Sequence, residues 1–441
     1  SRCGDSCYRC PHASPVVLSR AMAHDTPIKS LLLALNSDAD SAVAVINRLK
    51  PEALCFVGPE SVRVLVDTDI QPRLEQLPRR WDFVAVSDCR TFAASHHVLS
   101  QALPDLFRAW EVGSAELVVD LTDATPALAA ALSLVALPYT ARVVILTPLT
   151  GADPSTADMM EVGGRSLVWT HSNPWDEAAA SARREACDEF NRGLFDAASA
   201  GFRRLETRVS GGQKPLYRAL ADLAEGYGCW ERFQYRLAWE KLKTSLKALE
   251  MALVWGGPPG VKGVLPAMKQ NVSFLERIVL DPQEVKEAVG YDLLAHAHRR
   301  LVGLVDAERG MLAVVRALEV AAQHRLLKQH RIKTWDVQPE QLPQALQESC
   351  RTCCLSDLDG KYHLPMHEQF RALAGLGDLL GQTYLAQWPK MKPLLDAARQ
   401  GVLGHGCEAM KSERVGQLLE VVLTLTGIAD ASLPKFPMLH L

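Results

Sequence analysis

Ala115–Leu132 reads AELVVDLTDATPALAAAL. Its first half, AELVVDLT, is a short apolar run with the length and β-branched content of a buried strand. Its second half opens an alanine-rich helix spanning Thr125 to Leu137. Small and hydroxylated residues, Thr122 to Thr125, join the two. A strand that runs through such a turn directly into a helix is the repeating unit of an α/β domain. The turn also presents backbone N–H groups and a helix N-terminus to an anion such as a phosphate. The same residues fit a plain helix cap by Asp123 or Thr125, and the sequence leaves both readings open.

The unit recurs on either side. KSLLLAL (Lys29–Leu35) is a buried strand followed by a helical stretch from Asp38 to Leu49. EALCFVG (Glu52–Gly58) and WDFVAVS (Trp81–Ser87) are two more strands, the latter leading into a long helix from Thr91 to Trp110. ARVVILT (Ala141–Thr147) is the fifth strand and RSLVWT (Arg165–Thr170) the sixth. The stretch TPLTGADPSTADMMEVGG between them, from Thr147 to Gly164, reads as a loop or excursion. Apolar strands alternating with helices predict a parallel, Rossmann-like sheet over residues 29–175, covered on both faces. Ligands of such sheets bind outside the carboxyl ends of the strands. That edge holds Asn36 and Ser37 after strand one, Ser87 and Asp88 after strand three, and Thr122, Asp123 and Thr125 after strand four. No G-x-G-x-x-G follows the first strand and no G-x-x-x-x-G-K-[ST] occurs, which argues against a dinucleotide-dependent dehydrogenase and a P-loop NTPase.

From about residue 176 to 441 the pattern becomes helical. Helices are expected over 177–210, 214–227, 231–253, 261–279, 285–301, 306–328, 340–352, 365–387, 391–403 and 408–427. The chain has 441 residues, 48% hydrophobic and 22% charged, with a net charge of −3. Bulk charge therefore draws it to neither nucleic acid nor membrane, and any RNA surface must be a local patch. No apolar run reaches the length of a membrane span. Eleven cysteines, an odd number with several in apolar segments, fit a reducing cytoplasm. Residues 1–28 read as a disordered or appended extension, although Cys3, Cys7, Cys10 and His12 raise a small zinc knuckle as an alternative. Cys350, Cys353, Cys354, His363 and His367 form a second candidate zinc set, read instead as reduced thiols because adjacent Cys353 and Cys354 suit one tetrahedral site poorly. No metal ligand set is assigned. Trp230, Phe233, Tyr235 and Trp239 read as core rather than as a base-stacking platform.

RQGVLGHG (Arg399–Gly406) stands out in the helical half. A guanidinium donates in a fork to a phosphoryl group, and an imidazole moves protons near neutral pH. Without a carboxylate cluster, the pair suits metal-independent attack on a phosphodiester whose own 2′-hydroxyl is the nucleophile. On a continuous helix, residues six apart differ by about 240°, so Arg399 and His405 would not share a face. Two chains meeting at a two-fold axis would bring two of each together.

The chain resembles the CARF–HEPN ribonucleases of type III CRISPR immunity. RQGVLGHG, preceded by LLDAA, is similar to the family's R-N-(4 residues)-H-G motif. YDLLAHAHRRLVGLVDAERGMLAVVRALEVAAQHRLLKQHRIKTWDV (Tyr291–Val337) resembles the helical pair that precedes it in one branch. CWERFQYRLAWEKLK (Cys229–Lys243) is similar to that branch's W-(D/E)-R-F-x-Y segment. The likeness covers roughly residues 29–430. It implies a homodimer in the cytoplasm whose CARF domains bind a cyclic oligoadenylate, tetra- ahead of hexa-adenylate, without other cofactor. Binding activates a HEPN site that cuts single-stranded RNA, leaving 2′,3′-cyclic phosphates. It further implies that Arg399 and His405 are catalytic, and that Asn36, Ser37, Ser87, Asp88, Thr122, Asp123 and Thr125 line the activator pocket. Two positions depart from the family pattern. Gln400 replaces an asparagine, and TDATPA replaces T-G-G-T-K, so that Asp123 would repel the activator's phosphates or else cap the following helix. The rival readings are a non-catalytic nucleotide-sensing module and a zinc-dependent hydrolase built on the 350–367 cluster.

Overall fold

A computed structural model describes residues 28–441 apart from 112, 114, 115, 141, 150–157, 255, 256, 304 and 305. The four N-terminal residues proposed as a zinc knuckle lie outside the described residues. The chain forms two compact units that divide between Pro174 and Trp175.

The first unit is a seven-stranded sheet. Its elements are β1 (Ser30–Ala34), α1 (Ala39–Leu49), β2 (Ala53–Gly58), a single turn α2 (Arg63–Leu65), β3 (Arg80–Ala85), α3 (Phe92–Trp110), β4 (Leu117–Asp120), α4 (Pro126–Ala136), β5 (Arg142–Pro148), β6 (Met159–Val162) and β7 (Arg165–Ser172). The strand order is β3-β2-β1-β4-β5-β7-β6. Strands β1, β2 and β4 are buried along their whole length, which explains their unbroken apolar sequences. The pleat sorts their side chains. Leu31, Leu33 and Phe56 pack with Val45 and Ile46 of α1 on one face. Leu32, Ala34 and Val57 pack with Leu99 and Leu103 of α3 and Leu128 and Leu132 of α4 on the other. The chain leaves β1 toward β2 and β3, then returns to place β4 on the opposite side of β1. The gap between the carboxyl ends of β1 and β4 is thus the topological switch point.

The sheet corrects the all-parallel expectation. Strands β1 to β5 pair in parallel, but β7 runs antiparallel to β5 and β6 antiparallel to β7. The supposed excursion before RSLVWT contains β6. Gly163 and Gly164, at φ +56° and +75°, form the two-residue turn of a β6–β7 hairpin. A hairpin needs no crossover helix, so the strand direction reverses.

The second unit is helical: α5 (Trp175–Asn191), α6 (Phe195–Arg208), α7 (Lys214–Glu231), α8 (Tyr235–Val254), α9 (Gly260–Val279), α10 (Glu287–Val302), α11 (Ala307–His330), α12 (Gln344–Cys353), α13 (Met366–Gly375), α14 (Leu379–Gln400) and α15 (Ser412–Thr426). Helices α5 to α9 pack each against the next. Helices α10, α11, α14 and α15 enclose a second core around Met311, Val314, Tyr384, Met391 and Val415. Three helix expectations are corrected, the first being 365–387, which is α13 and the start of α14, parted where Gly377 takes φ +80°. The stretch 177–210 is two helices, broken where Gly193 takes φ +79°. Helix α14 runs unbroken through Pro389 and Pro393 and ends at Gln400, rather than breaking near residue 388 and ending at 403. Among the described residues, no helix is long and apolar enough to cross a membrane.

Candidate active site

The RQGVLGHG segment is a helix end with a turn folded back on it. Gly401 leaves helical geometry, its N–H still bonded to the Ala397 carbonyl at 3.1 Å. The His405 N–H then donates to the carbonyl of Arg399 at 2.7 Å, and the Glu408 N–H to that of Gln400 at 3.0 Å. Arg399 and His405 therefore do not lie on one continuous helix, and no helical face separates them. One backbone hydrogen bond joins the two residues within a single chain. Both side chains are exposed. Among the described residues, neither is held by a side-chain hydrogen bond or an ion pair.

The turn explains its glycines. A Cβ on Gly404 would lie 2.4 Å from the Ala398 carbonyl oxygen, and one on Gly406 would lie 2.2 Å from that of Gln400. Only a chain without side chains there can lie this close to the helix end. Gly401 has a different neighbour, since its Cβ would come within 2.8 Å of a Glu308 carboxylate oxygen.

Glu308 is the residue that the sequence concealed. It sits in the first turn of α11, some ninety residues before the motif, and no local signal connects the two. Its Oε1 accepts the N–H groups of Val402 at 3.1 Å and Met410 at 3.2 Å, and its Oε2 accepts that of Leu403 at 3.3 Å. One carboxylate thus receives three backbone donors of the Arg–His turn and ties it to α11. Hydrogen bonds to a charged partner are the stronger kind.

The WERFQY segment supplies a buried support. Trp230 is fully buried, and its Nε1–H donates to Asp292 Oδ1 at 2.9 Å. The Tyr235 hydroxyl donates to Asp292 Oδ2 at 2.9 Å. Next to Trp230, Glu231 meets His296 at 3.1 Å, Arg299 at 3.1 Å and Arg300 at 2.9 Å. Burial opposes the Glu231 charge, but His296 and the two guanidiniums beside it win and hold its carboxyl down at about 2. Burial pushes the Asp292 carboxyl up, against the pull of Arg299. The spacing W-E-x-x-x-Y thereby fastens α7 and α8 to α10. Phe233 departs from the core expectation: it is 42% exposed.

At the sheet's carboxyl edge the anticipated residues gather in two groups. Asp123 Oδ2 accepts the N–H groups of Asn36 at 2.6 Å, Ser37 at 2.6 Å and Asp38 at 2.8 Å. This corrects the capping expectation for Asp123, which does not cap the helix after it. It lies in the backbone nest ahead of α1 and supplies the anion there itself. The cap of α4 is Thr125, whose Oγ1 accepts the Leu128 N–H at 3.2 Å and donates to the Cys89 carbonyl. Thr122 turns inward, donating to Asp120 at 2.6 Å and accepting from Leu146 N–H at 3.0 Å. Asp120 is buried, and burial pushes its carboxyl up to about 7. Ser87 is exposed, while Asp88 accepts the Arg90 N–H at 3.0 Å. Arg90 itself, with a side chain 89% exposed, is a further cation at this edge, one that no motif signals.

The cysteine–histidine cluster is dispersed. Cys350 and Cys354 are buried and Cys353 is exposed. His363 pairs with Asp359 at 2.9 Å, and His367 faces the Tyr384 hydroxyl at 3.2 Å. Among the described residues, no three histidine, cysteine or acidic side chains are placed to hold a metal.

A sheet unit with a switch-point edge is thus followed along the chain by a helical unit that carries an Arg–His turn. Residues 179–275 match the family model of the Csm6 6H domain, and residues 284–428 match that of the Csm6 HEPN domain. The chain belongs to the CARF–HEPN family, with the helical domains of Csm6. It shares its fold with Enterococcus italicus Csm6 bound to cyclic hexa-2′-fluoro-hexa-dAMP, at 12% identity and a TM-score of 0.55, over 90% of this chain and 94% of that one. Can2 from Sulfobacillus thermosulfidooxidans, in complex with cyclic tetra-adenylate, is similar at 9% identity and a TM-score of 0.23, over 52% of this chain and 69% of that one. No curated protein matches the chain by sequence.

Proposed function

We propose that the protein is a homodimeric, metal-independent endoribonuclease that cleaves single-stranded RNA when a cyclic oligoadenylate binds its CARF domain. The observation that carries the reading is the Arg399–His405 turn. It lies inside the segment that matches the Csm6 HEPN domain, with both side chains exposed and unengaged. In this reaction the 2′-oxygen of the RNA attacks the adjacent phosphorus and the bond to the 5′-oxygen breaks. Arg399 binds the scissile phosphate and stabilises the charge that grows on it. His405 relays the proton, taking it from the 2′-hydroxyl or giving it to the departing 5′-oxygen. The products are a 2′,3′-cyclic phosphate and a 5′-hydroxyl. The RNA supplies the nucleophile, so the step calls for no metal-bound water.

The activator site is the edge formed by Asn36, Ser37, Ser87, Asp88, Thr122, Asp123 and Thr125. The ligand of the Enterococcus protein, a cyclic adenine hexanucleotide, supports the ligand class. Because Asp123 fills the nest ahead of α1, the activator's phosphates meet other donors of the edge, Arg90 among them. The test is cleavage of a labelled RNA in the presence of a chelator and activator. Arg399→Ala and His405→Ala should each slow it by about 100- to 1,000-fold, the usual loss when one charge-stabilising donor is removed. Near-normal rates in both variants at equal folded concentration would overturn the assignment.

A further inference from the structure

Beside the Arg–His turn lies a cleft of about 580 Å³ lined by Arg232, Phe233, Arg309, Leu312, Arg316 and Leu403, with His296 and Arg300 at its floor. Leu403 belongs to the turn itself, between the two proposed catalytic residues. We propose that this cleft is a subsite for single-stranded RNA, in which a base stacks on Phe233 while flanking phosphates meet Arg232, Arg309 and Arg316. The proposal rests on the ribonuclease reading above and adds the place where the substrate is held.

Three observations carry it. The first is the backbone of Phe233. At φ +60° it occupies the left-handed position that ends α7, and the Gln234 N–H reaches back to the Cys229 carbonyl at 2.9 Å. Glycine is the default there, and a bulky residue is an outlier. The conformation directs an aromatic ring to the cleft rim, 4.8 Å from the His296 ring. The second is charge. The lining holds four arginines against one carboxylate, Glu231, which is already engaged by Arg299 and Arg300. The guanidiniums of Arg232, Arg309 and Arg316 are about half exposed, paired only at the surface with Asp196, Asp306 and Glu319. Exposed pairs of this kind are weak, and a phosphate competes for the fork. With these partners counted the four arginines are balanced by four carboxylates, so the cleft offers exposed guanidinium forks rather than net positive charge. The third is composition. An exposed aromatic ring interleaved with arginines is how proteins hold single strands without reading their sequence.

The experiment uses the full chain and a fluorescent single-stranded RNA carrying 2′-O-methyl groups, which lacks the nucleophile and reports binding alone. Phe233→Gly suits the backbone and keeps the cap, so the variant should fold. It should bind the RNA about 5- to 150-fold more weakly, the effect of losing one base–aromatic stack. Phe233→Trp should restore binding. The double variant Arg309→Ala/Arg316→Ala should flatten the salt dependence of binding by about 0.7 for each phosphate left without its guanidinium. Affinity within twofold of wild type in Phe233→Gly, with an unchanged salt slope in the arginine variant, overturns the proposal. So does loss of the dimer in Phe233→Gly by sedimentation with normal RNA binding per folded chain, which assigns the surface to a second copy. The two readings fail separately. Wild type that binds methylated RNA through Phe233 but never cuts unmodified RNA sinks the ribonuclease reading and leaves the subsite. Wild type that cuts RNA with a KM indifferent to Phe233 does the reverse.

Discussion

Replacing Glu308 with alanine removes the one side chain that receives the Val402, Leu403 and Met410 N–H groups. In a dry interior, three hydrogen bonds to a carboxylate would be worth about 1.5–3 kcal/mol each. Here Glu308 is half-buried and Val402 and Leu403 are exposed, so the freed donors regain water. A loss nearer 0.5–1 kcal/mol per bond follows, about 1.5–3 kcal/mol for the set. At 1.36 kcal/mol per tenfold, the ordered turn becomes about 10- to 150-fold less populated relative to its open forms. The core of the helical unit is untouched, so kcat for RNA should fall by about that factor with little change in melting temperature. Glu308→Gln keeps one acceptor oxygen and should lose less. The assay is cleavage of a fluorescent single-stranded RNA at saturating activator, paired with hydrogen exchange of the three amides. Exchange should speed up at residues 402, 403 and 410 in Glu308→Ala. A kcat within twofold of wild type, or amides as protected as before, would refute the claim that Glu308 orders the turn.

Three further outcomes concern carboxylates elsewhere in the chain. Glu231→Gln leaves Arg299, Arg300 and His296 facing a neutral partner and should destabilise the helical unit by about 3–5 kcal/mol in denaturant titration. Asp120 titrates near 7 in the fold against 3.8 when free, so the folded state holds the proton longer than the unfolded one. Its contribution is therefore present at low pH and lost as pH rises from about 4 to about 7, by at most about 4 kcal/mol. Asp120→Asn should make melting of the sheet unit less sensitive to pH over that window, and an identical pH profile would contradict the assignment. Asp123→Gly strips three backbone donors of their acceptor and should cost about 1–3 kcal/mol in melting experiments, well above the few tenths expected if Asp123 only capped a helix.

Strands β1, β2, β4 and β5 were legible because each is a compact apolar run, and the carboxyl edge as the ligand side followed from their alternation with helices. The β6–β7 hairpin was signalled by Gly163–Gly164, but its sequence is polar enough to pass for a loop. The motif residues were legible as chemistry and misread as geometry. The expected helix over 391–403 ran through the very turn that ends α14 at Gln400. Glu308, Asp123 and Phe233 mark what one-dimensional reading leaves out. The first two act through backbone groups distant in sequence, which no spacing encodes. The third looks like a core aromatic, and only its left-handed backbone brings it to the surface.

The most direct test of the central claim is a cleavage time course with single-stranded RNA, chelator and cyclic oligoadenylates of three, four or six adenosines, followed by end-group analysis of the products. The account predicts that at least one ring accelerates cutting by wild type but not by Arg399→Ala, and that the fragments end in 2′,3′-cyclic phosphate and 5′-hydroxyl. Absence of cleavage with every ring, or fragments ending in 3′-hydroxyl and 5′-phosphate, would contradict it.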